Sequence, residues 1–158
     1  MQILLVNGSS RVDGNTAEAL TLLDESFQKR GVKTTWFQIN SEPLRGCIGC
    51  NGCNDTNRCV FQDDRCNELI EDILAADGVI VGSPVYFAAP NGALCSLLAR
   101  FLRLVPKASF SRESPLRLWL PANGLVERLR WTGCTAILCQ AKCRLSQATI
   151  TRFFRETA

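Results

Sequence analysis

Short apolar runs alternate with segments of helical periodicity through the first two thirds of the chain, and this alternation limits the possible folds more than any other feature. Three segments are typical of strands: residues 2–7, 33–39 and 78–84. Three others carry apolar residues at helical spacing: residues 16–30, 64–77 and 91–105. Strands that alternate with helices indicate βαβ units. We therefore expect an α/β fold, a doubly wound parallel sheet with helices on both faces.

The pattern weakens beyond residue 105. Residues 116–120 and 135–139 are candidates for strands four and five, and residues 125–130 and 145–156 for helices. None of them has the clean Val/Ile run of the earlier strands. We therefore expect the C-terminal part of the sheet to be atypical or incomplete.

Composition limits the partners and the compartment. The 158 residues are near the commonest size for one domain. The net charge of +3 divides into seven Lys/Arg against twelve Asp/Glu in residues 1–99 and eleven against three in residues 100–158. The basic residues of the second part are scattered among leucines, so we expect no nucleic-acid partner. The chain has no signal-peptide pattern and no apolar run near the roughly 18 residues that span a bilayer. We expect a cytoplasmic protein with no membrane partner.

The turn after the first strand, residues 7–16 (NGSSRVDGNT), suits an anion. A strand-to-helix turn offers backbone N–H groups and the positive end of the helix dipole. Ser9, Asn15 and Thr16 add polar donors, and Arg11 can pair with a phosphate through two hydrogen bonds. The alternative is an ordinary capped turn with Asn15 or Thr16 as the N-cap. The spacing is neither a Walker A motif nor a dinucleotide glycine motif.

The loop after the third strand, residues 82–92 (GSPVYFAAPNG), should face this turn. In a sheet of order 2-1-3-4-5 the ligand crevice lies between strands one and three. Tyr86 and Phe87 offer flat apolar surface, and Pro84 and Pro90 stiffen the backbone. This loop therefore suits an aromatic ring system. The alternative is that Val85, Tyr86 and Phe87 only cap the core.

These segments resemble a known family. The chain resembles the NADPH-dependent FMN reductase branch of the flavodoxin-like superfamily, in particular its iron–sulfur flavoproteins. The similar segments are residues 8–16, the cysteine-rich residues 45–59, and residues 76–101 and 108–117. The resemblance spans residues 1–117 and implies a flavodoxin-like fold and FMN. It implies a phosphate held by Ser9, Arg11, Asn15 and Thr16. It also implies an isoalloxazine ring on Pro84, Val85, Tyr86 and Phe87, with Asn91 and Gly92 beside it.

The cysteines are the most unusual feature of the composition. Nine are present, and in a reducing cytosol close spacing favours metal binding or catalysis over disulfides. Cys47, Cys50, Cys53 and Cys59 match the compact motif that binds a 4Fe-4S cluster in iron–sulfur flavoproteins, whereas a zinc site would prefer two pairs further apart. The alternative is a loop without metal. We expect Cys66 and Cys95 to be packing residues.

The resemblance implies an FMN-dependent NAD(P)H oxidoreductase that passes electrons from the nicotinamide to a flavin, a quinone or an iron–sulfur partner. The cofactor performs the hard step, so no catalytic acid or base is expected. The alternatives are an FMN/4Fe-4S electron carrier without nicotinamide turnover and a truncated, inactive relative. Such proteins form dimers or tetramers, which implies a homo-oligomer. We expect residues 1–117 to form the flavodoxin-like core and residues 118–158 a divergent or truncated segment of the same domain.

Overall fold

The computed structural model describes residues 1–39, 41–87 and 89–104, and the backbone of residues 118–122 and 125–129. The strands of the first part are β1 (Gln2–Asn7), β2 (Lys33–Gln38), β3 (Gly78–Gly82), β4 (Val85–Tyr86) and β5 (Ala89–Pro90). The helices are α1 (Asn15–Gln28), α2 (Cys66–Ala75) and α3 (Gly92–Leu104). Two further strands follow, β6 (Leu118–Ala122) and β7 (Leu125–Leu129). The three strands and three helices predicted in residues 1–105 are confirmed as β1, β2, β3, α1, α2 and α3.

Strand β1 is central in a parallel sheet of order β2-β1-β3. This is the first half of the expected 2-1-3-4-5 order. The register places Asn7, the last residue of β1, opposite Gln38 of β2 and Gly82 of β3. The carboxyl ends of the three strands are therefore level, and the loops that leave them start from one edge of the sheet.

The side chains of β1 alternate between two cores, as the period of a strand requires. Ile3 and Leu5 point to one face, where they pack with residues of α1 such as Phe27. Leu4 and Val6 point to the other face, where they pack with residues of α2 and α3. Both faces of the sheet are thus covered by helices, which explains why β1 is apolar at consecutive positions.

Helix α1 is also joined to the sheet by a polar contact. The carboxylate of Asp24 accepts hydrogen bonds from the Thr34 hydroxyl and, at 2.9 Å, from the Trp36 indole N–H. Burial opposes the charge of Asp24, but these hydrogen bonds and one from Gln28 lower its pKa below the ordinary value. The edge strand β2, which has exposed residues, is held to α1 by these bonds.

The predicted strand at 116–120 is present two residues later, as β6, but among the described residues it pairs with β7 in a separate two-stranded sheet and not with β3 as strand four. The predicted helix at 125–130 is wrong, because Leu125–Leu129 is strand β7, antiparallel to β6. The Asn-Gly pair at 123–124 is the sequence signal for such a hairpin, since both residues tolerate positive φ. Cα atoms of β6 approach those of β3 within 8 Å. The predicted strand at 135–139 and helix at 145–156 lie outside the described residues.

Within the part of the chain that the structure describes, no helix combines the length and the apolar character that crossing a membrane requires.

Candidate functional site

The turn after β1 and the loop after β3 touch each other directly. The backbone N–H of Gly8 donates to the carbonyl of Gly82 at 2.6 Å. A Cβ atom on Gly8 would lie 2.7 Å from that oxygen and 2.8 Å from Cδ2 of Leu94. The side-chain amide of Asn91 donates to the carbonyl of Gly8 at 2.8 Å. The sequence prediction that these two loops face each other is therefore confirmed, and glycine at position 8 is what permits the close approach.

Two residues that the sequence analysis did not single out shape the turn after β1. Asn7 is fully buried; its Oδ1 accepts from the N–H of Ser9 at 3.0 Å, and its Nδ2 donates to Oε1 of Gln38 at 2.7 Å. Gln38 in turn donates to the carbonyl of Ser9 at 2.6 Å. In the sequence, each of these residues is a polar residue at the end of a predicted strand, and the two strands are neighbours in the sheet.

The predicted phosphate-binding residues differ in their exposure. Ser9 is buried, and its hydroxyl accepts from the N–H of Arg11 at 3.1 Å. Arg11 and Asn15 are exposed and Thr16 is half-buried. Arg11 forms no side-chain hydrogen bond or ion pair with another described residue. Its guanidinium is therefore available to an anion from solvent.

The N-terminus of α1 is uncapped. The helix begins at Asn15 with Gly14 in the N-cap position, and no side chain accepts a hydrogen bond from its first turn. The alternative in which Asn15 or Thr16 is the N-cap is therefore wrong. Because the first N–H groups of a helix have no partner within the helix, those of α1 can bind an anion beside the turn.

The loop after β3 is a tight hairpin of β4 and β5, in which Tyr86 pairs with Ala89. Phe87, at the tip, has a φ of 50° in the left-handed region and is fully exposed. Tyr86 is half-exposed. The alternative in which these two aromatic residues cap the core is wrong, whereas Val85 and Pro84 are partly buried. A bulky side chain in this backbone region is strained, as residues of binding loops often are.

Asn91 connects this hairpin to α3. Its Oδ1 accepts from the N–H of Ala93 at 3.1 Å, which caps the helix, and its backbone N–H donates to the Ser83 hydroxyl at 3.0 Å. A Cβ atom on Gly92 would meet no atom within 4 Å. Asn91 therefore fixes both loops, and open space lies beside Gly92.

The four clustered thiols line one cavity. It encloses about 20 Å³, is open to solvent, and is lined also by α3. The lining thiols are Cys47, Cys50, Cys53 and Cys59. Cys47 and Cys50 are exposed, and the other two are half-buried. Among the described residues no three His, Cys, Asp or Glu side chains converge as ligands of a single ion. The four thiols thus share one cavity without converging on a single point.

The backbone of this loop turns sharply. Three of its residues have positive φ: Gly49 (67°), Asn51 (60°) and Asn57 (51°). A Cβ atom on Gly52 would lie 2.5 Å from Cγ1 of Val60. Glycine and asparagine are the residues that tolerate this region, and their positions between the cysteines let the thiols face the same space.

The second half of the loop is attached to α2. Oδ1 of the buried Asn67 accepts from the N–H of Cys59 at 2.8 Å, and its Nδ2 donates to the carbonyls of Cys59 at 3.2 Å and Phe61 at 3.1 Å. Asn67 was not singled out from the sequence, where it is one polar residue in a helical pattern. Asn67 therefore holds both the backbone N–H and the backbone carbonyl of Cys59, one of the predicted cluster ligands.

A buried ion pair lies behind the thiols. Arg100 of α3 is 1% exposed and pairs with the carboxylate of Asp64. Its Nε donates to Sγ of Cys59 at 3.2 Å, and its Nη1 to the carbonyl of Arg45 at 3.3 Å. Burial disfavours the charge, but the hydrogen bonds to Asp64 and Cys59 outweigh it and raise the pKa of Arg100. Arg100 therefore stays cationic beside the cavity.

The two other described cysteines are not part of this group. Cys66 is fully buried in the core at the start of α2, and burial raises the pKa of its thiol to about 12. A thiol so hard to ionise is a poor ligand and a poor nucleophile. Cys95 lies half-buried in α3. The prediction that Cys66 is a packing residue is confirmed.

Comparisons with known proteins identify the family of the chain. The pattern of the family described as NADPH-dependent FMN reductase matches residues 1–117. An iron–sulfur flavoprotein of Methanocaldococcus jannaschii is 33% identical over 100 residues, which are 63% of this chain and 51% of that protein. One from Methanosarcina thermophila is 31% identical over 124 residues, which are 78% of this chain and 64% of that protein. The chain spans about half the length of the curated relatives it matches.

A solved structure described as a flavone reductase has a similar fold. The TM-score is 0.50 at 19% sequence identity, and the match covers 64% of this chain and 30% of that chain. At this identity the likeness extends to the fold alone. It agrees with the parallel β2-β1-β3 sheet and its helices.

We expect Gly8→Ala to destabilise the protein by about 1–3 kcal/mol, because the added Cβ has backbone and side-chain atoms within 3 Å. The matched control is Gly92→Ala, whose Cβ meets open space at the start of a helix that alanine favours. Urea denaturation followed by circular dichroism measures both. Equal midpoints in the two variants would contradict the close approach of the two loops.

Proposed function

The chain belongs to the NADPH-dependent FMN reductase family, and on that premise we propose that it binds FMN and is an FMN-dependent oxidoreductase that takes electrons from NAD(P)H. One observation carries the proposal. Direct hydrogen bonds join the turn after β1 to the hairpin after β3, at the carboxyl ends of adjacent parallel strands. The turn leads into a helix with no side-chain cap, and the hairpin carries exposed aromatic residues. Open α/β sheets bind their ligands at this place.

The residues of the turn fit the phosphate of FMN. The free N–H groups at the start of α1 and the exposed guanidinium of Arg11 supply donors and positive charge. Asn15 adds an amide in the first turn. Ser9 and Thr16 complete the set: within the described residues the Ser9 hydroxyl accepts a hydrogen bond but donates none, so its proton is left for the phosphate.

The hairpin fits the flavin ring. We assign Pro84, Val85, Tyr86 and Phe87 as the surface on which the isoalloxazine lies. Asn91 and Gly92 lie next to it, where the chain leaves open space. The two aromatic residues stand in solvent, so covering them with a flat apolar ring would bury surface that is otherwise exposed to water. Asn91 would fix the hairpin against the turn at the same time.

The reaction needs little acid–base chemistry from the protein. FMN, when bound, supplies the ability to accept a hydride from NAD(P)H, which leaves NAD(P)⁺, and to pass the two electrons to an acceptor. The side chains of the two loops bind and orient the cofactor and exclude water from one face of the site. The sequence contains no histidine, and this role requires none. We propose a flavin, a quinone or an iron–sulfur protein as the acceptor, and a homo-oligomer as the assembly.

A second candidate function rests on the cysteine loop. Four thiols line one cavity, and Arg100 donates a hydrogen bond to one of them. Thiolates are the ligands of iron–sulfur clusters, so the donor set fits a 4Fe-4S cluster held by Cys47, Cys50, Cys53 and Cys59. A chain that holds both groups but does not oxidise a nicotinamide would be an electron carrier.

The phosphate assignment predicts that Arg11→Ala and Asn15→Ala each weaken FMN binding by about tenfold to a hundredfold, since a hydrogen bond to a charged group contributes about 1.5–3 kcal/mol. Quenching of FMN fluorescence on titration with protein gives the dissociation constant. Lys29→Ala is the control, because this exposed lysine lies at the far end of α1. A dissociation constant that is unchanged in both loop variants would refute the assignment.

Nicotinamide turnover is tested separately. The FMN-loaded protein, mixed anaerobically with NADPH or NADH in a stopped-flow spectrometer, should lose its flavin absorbance within seconds, because hydride transfer reduces the ring. Reduction by dithionite serves as the control for the full amplitude. If dithionite bleaches the flavin and neither nicotinamide does, the protein is a carrier and not a reductase.

The cluster assignment predicts that serine in place of any one of the four cavity cysteines lowers iron and acid-labile sulfide per chain, while FMN is retained. Serine removes a thiolate ligand without changing the two flavin loops. Iron and sulfide are measured after anaerobic reconstitution. Cys95→Ser is the matched control, because Cys95 does not line the cavity. Equal iron in this control and in the four variants would argue against the assignment.

A further inference from the structure

Two arginines of α3 line the same cavity as the four thiols. Arg100 and Arg103 are three residues apart, which places them on one face of the helix. Arg100 is buried and its Nε lies 3.2 Å from Sγ of Cys59. Arg103 is exposed, and its Nη2 donates to Oδ1 of Asn51 in the cysteine loop.

The two arginines differ in whether a neighbouring carboxylate neutralises their positive charge. The carboxylate of Asp64 pairs with Arg100 and compensates its charge. Burial would raise the pKa of Asp64, but the hydrogen bond from Arg100 lowers it below the ordinary value, so the pair is ionic. Arg103 contacts only a neutral amide and has no ion-pair partner among the residues that the structure describes. Its positive charge is therefore uncompensated there.

We propose that Arg103 and Arg100 set the reduction potential of the centre held by the cysteine loop, Arg103 through its charge and Arg100 through its hydrogen bond to Cys59. The inference rests on the proposed 4Fe-4S cluster in that loop. Helix α3 contains none of the four predicted cluster ligands, yet in this inference it controls how readily the cluster accepts an electron.

The physical reason is electrostatic. A cluster with four thiolate ligands is an anion, and it gains one more negative charge when it takes up one electron, while no bond breaks and no proton moves. A nearby cation stabilises the reduced form more than the oxidised form, and an N–H donor on a ligand sulfur acts in the same direction. Removing either contribution should therefore lower the reduction potential.

A role limited to structure would give a different result. Arg100 also donates hydrogen bonds to the loop carbonyls of Arg45 and Phe61. Because Arg100 pairs with the buried carboxylate of Asp64, its loss would leave that carboxylate without its partner. Breaking a buried ion pair in this way strongly destabilises a protein. Arg103 is exposed and has no such partner, so its replacement changes the charge at the cavity with little effect on the fold. Arg103→Gln is thus the decisive variant, and Arg100→Lys, which keeps the charge, is the second.

The experiment is a redox titration of the anaerobically reconstituted protein with dithionite, followed by visible absorbance and electron paramagnetic resonance. At the wild-type midpoint, Arg103→Gln should show a reduced-to-oxidised ratio about three- to tenfold lower, where tenfold corresponds to about 59 mV for one electron. Arg100→Lys should change the ratio in the same direction, because lysine does not reproduce the planar set of donors. Arg58→Gln is the matched control: Arg58 precedes Cys59 but pairs with Glu71 outside the cavity, and its ratio should change less than twofold.

The possible results distinguish failure of the redox role of Arg103 from failure of the cluster proposal itself. A midpoint that is unchanged in Arg103→Gln with full iron content overturns this inference and leaves the cluster in place. Loss of iron from folded Arg103→Gln also overturns it, since the arginine would then serve assembly. Wild-type protein that takes up FMN but no iron overturns the inference together with the cluster. A lowered potential in Arg103→Gln supports it whether or not Arg100→Lys folds.

Discussion

The parallel pairing of β1 with both of its neighbours is the constraint on which the candidate sites depend. Because the register aligns the last residues of the three strands, the turn after β1, the cysteine loop that follows β2 and the hairpin after β3 all leave the same edge of the sheet. A backbone hydrogen bond between Gly8 and Gly82 closes the gap between two of them. Topology alone thus brings together segments that are about 75 residues apart in the sequence.

Buried polar side chains then give each loop a defined shape. Asn7 and Gln38 organise the turn after β1, Asn91 connects it to the hairpin, and Asn67 and Arg100 hold the cysteine loop against the helices. Buried polar groups cost free energy unless they are hydrogen-bonded, and within the described residues no fully buried side-chain N or O atom lacks a partner. The polar residues therefore serve geometry more than net stability, as is usual for a buried ion pair such as Arg100 with Asp64.

The sequence allowed the strands, the helices, the β2-β1-β3 order and the meeting of two loops to be predicted, because each depends on local periodicity and on general rules of α/β sheets. It did not reveal Asn7, Asn67 or Arg100 as important, since the role of a polar residue depends on partners that are distant in the sequence. In the sequence Arg100 is one of the scattered arginines of a basic segment. The segment Leu125–Leu129 has apolar residues at helical spacing and yet is a strand, and the Asn-Gly pair before it is the local signal that favours a hairpin.

The exposure of the four cavity thiols also gives them an order of chemical vulnerability. Cys47 and Cys50 face solvent, whereas Cys53 and Cys59 are half-buried, and Cys59 is held by α2 and α3. Oxidation of thiols follows their accessibility, so dissolved oxygen or peroxide reaches the outer pair first. Aerobic handling would therefore oxidise the open side of the cavity first, while its inner wall and the fold around it stay intact.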